Sequence, residues 1–250
     1  MKNNLSTSEQ YLWDYVDQHR TQIPNLSIVQ LGEKANVSTA TIVRAMKKRG
    51  YSGYTNFRQA VIQENNDINN FPNFRDMSQK IKEVVLKNQD EVLKTIQKID
   101  VGDIEDAVQK IKVAKKIYIF AQGFSEMTAK EMQIKLQLLN KTAEFHSDPN
   151  IIIPISKRIK PQDLIIYVSL NGETQSLLQS SQTALKNNVS TITITTNPDG
   201  SLMEYSEISI VGYKQKSSFF PEFEVHSRLP LEVISRILLD AYAIRIKDQT

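Results

Sequence analysis

The stretch Leu164-Ile-Ile-Tyr-Val-Ser-Leu-Asn-Gly-Glu-Thr174 decides the fold class of this chain. It begins with an unbroken apolar and aromatic run, which is typical of a short strand buried on both faces of a sheet. Small and polar residues follow at once and lead into a helical pattern over residues 174–188. A buried strand that ends in a polar loop and then a helix is the unit from which parallel α/β sheets are built.

The loop after this strand carries residue types that hold phosphate groups. Short hydroxyl and amide side chains, a glycine and the first backbone N–H groups of a helix can surround an anion, and the helix dipole favours its charge. The predicted ligand-binding residues in this loop are Ser169, Asn171, Gly172 and Thr174. The alternative interpretation is that Thr174 only caps the helix and that Asn171-Gly172 only forms a turn.

A second stretch, Ile117-Tyr-Ile-Phe-Ala-Gln-Gly-Phe-Ser125, repeats the order of strand, small-residue turn and helix. It lacks the full G-x-G-x-x-G spacing, and Ala121 stands where a first glycine is expected, so by itself it favours a plain strand-to-helix turn. If the two strands are neighbours at a flavodoxin-like switch point, both loops open into one crevice. Gly123 and Ser125 then join the predicted phosphate site.

The rest of residues 116–250 alternates between β-rich runs and helical stretches, which predicts a parallel sheet with helices on both faces. The predicted strands are Ile117–Phe120, Thr142–Phe145, Leu164–Leu170, Ser190–Thr196 and Ile208–Tyr213. The predicted helices are Glu126–Asn140, Thr174–Asn188, Ser201–Tyr205 and Leu229–Lys247. Two amphipathic helices precede them, one from about Arg75 to Ile99 and one capped by Asp100 or Asp103.

Residues 1–62 are predicted to form a small helical domain whose first helix is capped by Thr7 or Ser8. The Asn-rich run Asn65–Asn73 suits a linker between this domain and the rest of the chain. The sequence is therefore divided into two parts, residues 1–75 and 76–250.

The middle of the N-terminal part carries a helix-turn-helix pattern. Ser27 and Gln30 form a capping box for a short helix, and Asn36-Val37 then makes a tight turn. A basic helix begins at Ser38 and is closed by Gly50. Two short helices joined by such a turn, the second one basic, form a helix-turn-helix.

The second helix of this pattern is expected to enter the major groove of double-stranded DNA. Short hydroxyl side chains near its start suit base edges, while Lys and Arg further along suit phosphates or guanine. Tyr hydroxyls and a basic residue after the helix would grip the flanking backbone. The predicted DNA-binding residues are Ser27, Ser38, Thr39, Thr41, Arg44, Lys47, Lys48, Tyr54 and Arg58. Two alternatives are a solvated basic face and a trihelical interaction module.

The charge distribution favours DNA binding over these alternatives. The net charge of the chain is +3, and residues 1–62 carry eight bases against four acids, a balance of +4. Between Ala40 and Ala60 there are five basic residues and no acid. A local basic patch on a nearly neutral protein is typical of a surface that meets phosphate backbones.

The composition excludes several other classes of protein. Apolar residues make up 40% and charged residues 24%, which indicates a globular chain. Without cysteine there is no disulfide framework or thiolate metal site, and neither a metal nor a nucleotide cofactor is expected. No apolar run approaches the roughly 20 residues that cross a bilayer, and residues 1–10 lack the apolar segment of a secretory signal. We therefore expect a cytoplasmic protein with no membrane contact.

Together these motifs resemble the MurR/RpiR family of bacterial transcriptional regulators over nearly the whole chain. The N-terminal pattern is similar to the helix-turn-helix of that family, and Ala-x-Gly-x-Ser125 with Ser169-x-Asn-Gly-x-Thr174 resembles the two phosphate loops of its sugar isomerase (SIS) domain. Two positions depart from the pattern, because Ala121 replaces the usual glycine and Asn171 replaces the usual second serine. Asparagine keeps a hydrogen-bond acceptor and adds donors.

The resemblance implies a fold and a function. The fold is α/β, with an all-α helix-turn-helix domain followed by a flavodoxin-like α/β/α SIS domain that has a five-stranded parallel sheet. The function is that of a DNA-binding transcriptional regulator of carbohydrate metabolism, whose affinity for operator DNA is controlled by a sugar-phosphate effector. Because one helix-turn-helix reads only about half a turn of duplex, operator recognition is expected to need a homodimer or homotetramer.

An enzyme remains the alternative, because SIS domains also occur in sugar-phosphate isomerases. Such enzymes use a carboxylate base and often a histidine for ring opening, and the base must lie within hydrogen-bond reach of the proton it removes. The candidates in this chain are His146, Glu222, Glu224, His226 and Glu232. With a DNA-binding domain attached, we expect a regulator without catalytic residues.

Overall fold

A computed structural model describes residues 5–20, 22–70, 77–215, 219–220 and 225–247, with the backbone alone over 63–70. Contacts between residues divide the chain into two compact units, Met1–Lys82 and Glu83–Thr250. The residues on either side of the boundary predicted from the sequence, 75 and 76, lie outside the described part of the chain.

The first unit is a bundle of helices around one apolar core. Its helices are α1 (Thr7–Gln18), a single 3₁₀ turn (Ile23–Asn25), α2 (Ile28–Lys34), α3 (Thr39–Lys48) and α4 (Tyr54–Asn70). Trp13 and Phe57 meet edge to face in the core, with ring centroids 5.3 Å apart. The predicted helix-turn-helix is formed by α2 and α3.

The cap of α1 corrects the sequence prediction, because Ser6 caps this helix rather than Thr7 or Ser8. The Glu9 carboxylate accepts a hydrogen bond from the Ser6 N–H at 2.7 Å, and the Ser6 hydroxyl accepts one from the Glu9 N–H. In this register the same carboxylate also lies 2.7 Å from the Lys48 ammonium. One side chain thus caps α1 and ties it to α3.

The turn between α2 and α3 is as tight as the sequence predicts. Asn36 has a left-handed backbone with φ 48°, a conformation that asparagine tolerates better than most residues. A Cβ added to Gly32 would lie 2.8 Å from the Val37 carbonyl oxygen, so glycine is needed where α2 meets the turn. The N-cap of α3 is Ser38, and Gly50 follows its end with φ 90°.

The predicted linker over Asn65–Asn73 is wrong in its first part, because α4 continues to Asn70. Asparagine lowers helix propensity by at most about 0.7 kcal/mol relative to alanine, which does not stop a helix whose earlier turns pack on the core. Residues 71–76 lie outside the described chain. The next helix, α5, runs from Gln79 to Lys98, where the sequence predicts Arg75 to Ile99.

The second unit is built on the predicted parallel sheet. Its strands are β1 (Ile117–Ala121), β2 (Ala143–His146), β3 (Leu164–Val168), β4 (Ser190–Thr195) and β5 (Ile208–Val211). They are all parallel and lie in the order β2-β1-β3-β4-β5. Strand β1 is therefore the neighbour of β3, which is the arrangement the two polar loops need in order to meet.

Helices cover both faces of this sheet and make a three-layer α/β/α unit, which confirms the predicted fold class. One face packs on α6 (Val101–Val113), α7 (Ser125–Leu138) and α10 (Leu229–Lys247), and the other on α8 (Pro149–Ser156) and α9 (Gln175–Lys186). Successive residues of β3 alternate between the two cores, and all five are buried.

Helix α8 is an element that the sequence patterns do not predict. It contains the apolar run Ile151–Ile155, and Pro154 inside this run argues against a helix. Asp148 caps α8 and Pro149 occupies its first turn, where proline is well tolerated. In the described part of the chain, no helix is both long and apolar enough to span a bilayer.

Candidate functional site

The two polar loops meet at the carboxyl edge of the sheet. The last residues of β1 and β3, Ala121 and Val168, lie opposite each other in the ladder, so both strands deliver their loops at the same level. Between the loops lies a cavity of about 250 Å³. Its lining residues are Gln122, Ser125, Ser169, Leu170, Asn171, Glu173, Thr174 and Arg228.

Four of the six residues predicted to bind a ligand line this cavity, namely Ser125, Ser169, Asn171 and Thr174. Gly123 and Gly172 do not line it, but both have positive φ, 59° and 71°, and so shape the two loops. Gly172 also approaches Gly200 closely, since a Cβ added at Gly172 would lie 3.3 Å from the Gly200 Cα.

The starts of α7 and α9 point donor groups at the cavity. Ser125 is the first residue of α7, and Thr174 occupies the N-cap position of α9. Neither helix has a side-chain capping hydrogen bond in the described structure, whereas α1, α2, α3, α6 and α8 do. A side-chain cap therefore does not account for Thr174. The Glu126 N–H of α7 and the Leu177 N–H of α9 are bonded to the carbonyls of Gly123 and Thr174, and the other N–H groups of the two first turns are open to a ligand or water.

Hydrogen bonds from a third loop hold the loop after β3 in place. The Asn197 side-chain amide donates to the Asn171 carbonyl oxygen at 3.0 Å, and the Leu202 N–H donates to the Gly172 carbonyl at 3.0 Å. The Glu173 carboxylate accepts from both the N–H and the hydroxyl of Ser201 at 2.8 Å. These two bonds lower the pKa of Glu173. The loop is thus preorganised before any ligand binds.

Two basic side chains that the sequence analysis missed bring positive charge to the cavity. Burial lowers the pKa of the Arg228 guanidinium, whose Nε has no hydrogen-bond partner among the described residues. The Lys214 ammonium donates to Oδ1 of Asn171, and burial together with the charge of Arg228 lowers the pKa of Lys214. Two like charges in a desolvated place are unfavourable, so this arrangement favours an anion as the counter-charge.

A signal for these two residues was present in the sequence. Lys214 follows β5 and Arg228 immediately precedes α10, so both lie where a parallel sheet places its strand ends. Gln122 was missed as well. Its amide donates to the Ser147 carbonyl at 2.9 Å and accepts from the Ser176 hydroxyl at 3.2 Å, which joins the loop after β1 to α9.

The described acid–base candidates for an isomerase lie outside the lining of the cavity between the two loops. His146 ends β2 with its Nε2 3.5 Å from a Glu144 carboxylate oxygen, and the His226 carbonyl accepts a hydrogen bond from Arg228 at 2.7 Å. Glu232 lies in the first turn of α10. None of these three residues lines the cavity formed by the described residues. The other two candidates, Glu222 and Glu224, lie outside the described part of the chain.

Part of the predicted DNA-binding set lies on the exposed side of α3. Thr39, Arg44 and Lys47 are exposed, whereas Ile42 and Met46 of the same helix are fully buried. An exposed face with one hydroxyl near its start and two basic residues after it suits entry into a major groove. These three residues carry the DNA-binding prediction furthest.

Ser27 and Ser38 are exposed and also serve as N-caps. The hydroxyl oxygen of each accepts a hydrogen bond at 3.2 Å from a backbone N–H, that of Gln30 in α2 and that of Thr41 in α3. A capping hydroxyl still has its own proton to donate, so Ser27 keeps a donor for the DNA backbone. The Ser38 hydroxyl also shares a hydrogen bond with the Thr41 hydroxyl at 2.9 Å, so Ser38 keeps a donor only where Thr41 is the donor of that bond.

The positions of Thr41, Lys48 and Tyr54 favour a structural role over the predicted contact with DNA. Thr41 is 9% exposed and lies beside the core, and Tyr54 is 7% exposed with its hydroxyl donating to the Leu26 carbonyl at 2.9 Å. The Lys48 ammonium is paired with Glu9 at 2.7 Å, and a phosphate would have to compete with that carboxylate. These side chains hold the helices together.

Fewer basic side chains between residues 40 and 60 are available to DNA phosphates than the composition of this stretch indicates. The Arg49 guanidinium lies 4.1 Å from the centroid of the Trp13 ring, and Arg58, although exposed, donates its Nε–H to the Pro24 carbonyl at 2.7 Å. Among the described residues, Arg44 and Lys47 make no ion pair or ring contact. The electrostatic attraction to DNA is therefore concentrated on α3.

Comparison with protein families divides the chain in the same way as the geometry. Residues 1–67 match the family model of the helix-turn-helix domain, rpiR family. Residues 110–217 match the family model of the SIS domain. The two matches contain α2 with α3 and the two loops of the cavity, respectively.

Curated relatives match nearly the whole chain. An HTH-type transcriptional regulator of Clostridium perfringens is 25% identical over 98% of this chain and 94% of its own length. The HTH-type transcriptional regulator GlvR of Bacillus subtilis is 21% identical over 96% of this chain and 91% of its own length.

Solved structures share the fold at low identity. The NanR protein of Vibrio vulnificus, complexed with ManNAc-6P, superposes with a TM-score of 0.62 at 19% identity, over 97% of this chain and 88% of that one. The sugar isomerase domain of an RpiR transcription factor from Sphaerobacter thermophilus gives a TM-score of 0.61 at 20% identity, over 67% and 92%.

Proposed function

Because this chain belongs to the rpiR family of helix-turn-helix transcriptional regulators and carries a SIS domain, we propose that a phosphorylated sugar controls its affinity for operator DNA. The cavity between the loops after β1 and β3 carries the proposal, because hydroxyls, uncapped helix starts and two basic side chains converge there. The similar fold of NanR, which was solved with ManNAc-6P, supports a phosphorylated sugar as the ligand. Such an effector points to control of carbohydrate metabolism.

Each group of the cavity has a defined part in this proposal. The hydroxyls of Ser125, Ser169 and Thr174 and the first N–H groups of α7 and α9 would donate to the phosphate oxygens. Arg228 would supply the counter-charge. The Glu173 carboxylate repels phosphate and accepts hydrogen bonds, so it belongs with the sugar hydroxyls at the rim of the cavity.

Thermal unfolding with a panel of ligands tests this site. Fructose 6-phosphate, glucose 6-phosphate and N-acetylmannosamine 6-phosphate are compared with inorganic phosphate and the unphosphorylated sugars. A ligand at 100 times its dissociation constant stabilises the fold by about 2.7 kcal/mol. The double variant Ser125→Ala/Thr174→Ala should lose the shift, while Thr183→Ala, a matched change on α9 away from the cavity, should keep it. A shift retained in the double variant would place the ligand elsewhere.

The DNA-binding part of the proposal assigns residues 1–75 to operator recognition and 76–250 to effector binding, in a homodimer or homotetramer. Arg44→Ala should weaken operator binding by about 1–3 kcal/mol if Arg44 reaches a base, and by less if it meets only phosphate. Arg158→Ala removes another exposed arginine, from the SIS domain, and serves as the matched control in gel-shift titrations at fixed salt. Equal operator affinities for the two variants would remove Arg44 from the interface.

We propose regulation without catalysis. The carboxylate that lines the cavity, Glu173, has a lowered pKa and is held by Ser201, so it is poorly suited to exchange protons near neutral pH. Incubation with fructose 6-phosphate is therefore expected to give no new product. Turnover that depends on Glu173 would instead favour an isomerase.

A further inference from the structure

The segment that follows β5 connects the cavity to helix α5. Lys214 in this segment donates to Asn171, which lines the cavity. Its neighbours on either side, Tyr213 and Gln215, are hydrogen-bonded to side chains of α5 through their main chains. The position of Lys214 is therefore fixed from one side by the cavity and from the other by α5.

Thr95 of α5 binds the main chain of Tyr213 twice. Its hydroxyl oxygen accepts a hydrogen bond from the Tyr213 N–H at 3.0 Å, and the hydroxyl donates to the Tyr213 carbonyl at 3.3 Å. Thr95 is fully buried. A single side chain thus satisfies both polar groups of one residue, as a neighbouring strand would.

Glu91, one helical turn before Thr95, holds Gln215, the second residue after Tyr213. Its Oε1 accepts a hydrogen bond from the Gln215 N–H at 3.1 Å, and the side chain is 1% exposed. Its Oε2 is buried with no hydrogen-bond partner among the described residues. Burying a carboxylate in this way is costly. An apolar side chain at this position would pack α5 without burying a carboxylate. We therefore look for a function in the hydrogen bond between Glu91 and Gln215.

The charge of Lys214 makes its position sensitive to an anion in the cavity. Burial and the nearby Arg228 lower the pKa of Lys214, which means that its ammonium is disfavoured where it stands. An anion in the cavity would relieve this and would compete with Asn171 for the ammonium protons. Movement of Lys214 between these two acceptors would pull on a segment whose main chain is bonded to α5.

We propose that Thr95 and Glu91 are positioning residues of the effector site, which hold Lys214 through Tyr213 and Gln215 and so link occupancy of the cavity to the position of α5. This inference rests on the proposed function of the cavity as an anion site. Helix α5 runs across the boundary between the two units, because it begins at Gln79 and the second unit begins at Glu83. A link between two sites is reciprocal, so whatever moves α5 must also change effector affinity.

The absence of cysteine from the chain allows a clean measurement of this link. Spin labels on Ile96→Cys in α5 and Leu138→Cys in α7, both exposed positions, report the distance between the two helices. Inorganic phosphate is the probe, because it carries the group that the cavity is proposed to bind. We expect saturating phosphate to shift the distance distribution of the labelled full chain.

Variants separate positioning from simple structural support. Thr95→Val keeps the shape but loses both hydrogen bonds, and it should bind phosphate about threefold to tenfold more weakly and show no distance shift at saturation. Thr95→Ser should restore both properties, and Thr183→Val on α9 should change neither. If Thr95→Val does not fold, Lys214→Ala decides, since it should bind phosphate more weakly and show no distance shift even at saturating phosphate.

The outcomes that overturn the inference differ from those that overturn the proposed function. Binding of phosphate by the unmutated chain without a distance shift, or a full shift in Thr95→Val or Lys214→Ala, refutes the link and leaves the effector site intact. Failure of phosphate and of every sugar phosphate to bind refutes the effector site itself, and the link with it.

Discussion

Arg228 reaches the cavity with a guanidinium that is partly removed from water, as its lowered pKa reflects. A buried N–H without an acceptor is unfavourable, and an anionic ligand would supply the acceptor that the described residues do not. Serine and threonine hydroxyls can orient a phosphate, but they bring no charge. At the scale of single residues, the proposed selectivity of the cavity for anions would therefore depend on Arg228 and Lys214.

Replacing Arg228 with alanine should weaken binding of a sugar phosphate by about 1.5–3 kcal/mol, or roughly tenfold to hundredfold, because a charge-assisted hydrogen bond is lost. Isothermal titration at two salt concentrations measures the loss. Arg236→Ala removes an arginine from the surface of α10 and is the matched control. If both variants bind equally well, Arg228 does not contact the ligand.

Glu9 gives the first unit a dependence on acid pH. The bonds from Lys48 and the Ser6 N–H lower the pKa of Glu9 below its ordinary value of 4.5. A carboxyl group with a depressed pKa stabilises the fold above that ordinary value, and the contribution is lost as the pH falls through the folded-state pKa. We expect the stability advantage of the native chain over Glu9→Gln to shrink below about pH 4.5.

Fluorescence of Trp13 measures this effect in the first unit alone. Trp13 is the single tryptophan of the chain and is 1% exposed in that unit's core. Glu33→Gln, an exposed change on α2, should follow the native pH dependence. A constant difference between native chain and Glu9→Gln from pH 7 to pH 3 would contradict the prediction.

The sequence predicts hydroxyls and amides at the site better than charges. Ser169, Asn171 and Thr174 are adjacent to a strong strand pattern, so their place follows from local order. For Arg228 and Lys214 the sequence signals only a place between β5 and α10. It does not signal that their charges lie at the cavity, because the path of that connection depends on how the sheet packs and no local period reveals it. The same limit explains why the sequence does not reveal that Tyr54 is buried, since its hydroxyl donates to the Leu26 carbonyl, which is distant in sequence.

At the scale of elements, the turn between α2 and α3 depends on Asn36. Residues other than glycine and asparagine rarely adopt a left-handed backbone, which costs roughly 1–2 kcal/mol. Asn36→Ala should therefore destabilise the first unit by about 1 kcal/mol, while Asn36→Gly should stay close to the native stability. Trp13 fluorescence during denaturation with urea measures both.

Asn188 provides the control for that experiment, because it has a similar φ of 53° in the second unit. Asn188→Ala should leave the Trp13 transition unchanged. A transition that moves as far in Asn188→Ala as in Asn36→Ala would mean that the two units do not unfold separately and that the effect is not local.

Elements with one dominant signal are the ones that the sequence predicts. The buried run of β3 and the capping box of Ser27 appear at their expected places. The prediction fails where signals conflict. Pro154 argues against a helix where α8 forms, and a run of asparagines argues against a helix where the last part of α4 forms. In α8 the Asp148 cap, and in α4 the packing of the earlier turns on the core, outweigh local propensity.

At the scale of the whole molecule, the helix-turn-helix and the proposed effector site belong to different units of one chain. A ligand in one unit can change the affinity of the other only by favouring one arrangement of the protein over another. Helix α5 and its bonds to the segment after β5 offer a physical connection for such a preference, through atoms that are already in contact.

We therefore predict reciprocal coupling between operator and effector. Allosteric coupling is typically about 1–3 kcal/mol, so a saturating sugar phosphate should change operator affinity roughly 5- to 150-fold, and operator DNA must change effector affinity by the same factor. Fluorescence anisotropy of labelled operator, titrated with and without the effector found by thermal shift, measures the first factor, and calorimetry with and without operator measures the second. Ser125→Ala/Thr174→Ala should bind operator with one affinity whether or not the effector is present. Equal operator affinities in the native chain, with the effector bound, would show two functional sites without a switch between them.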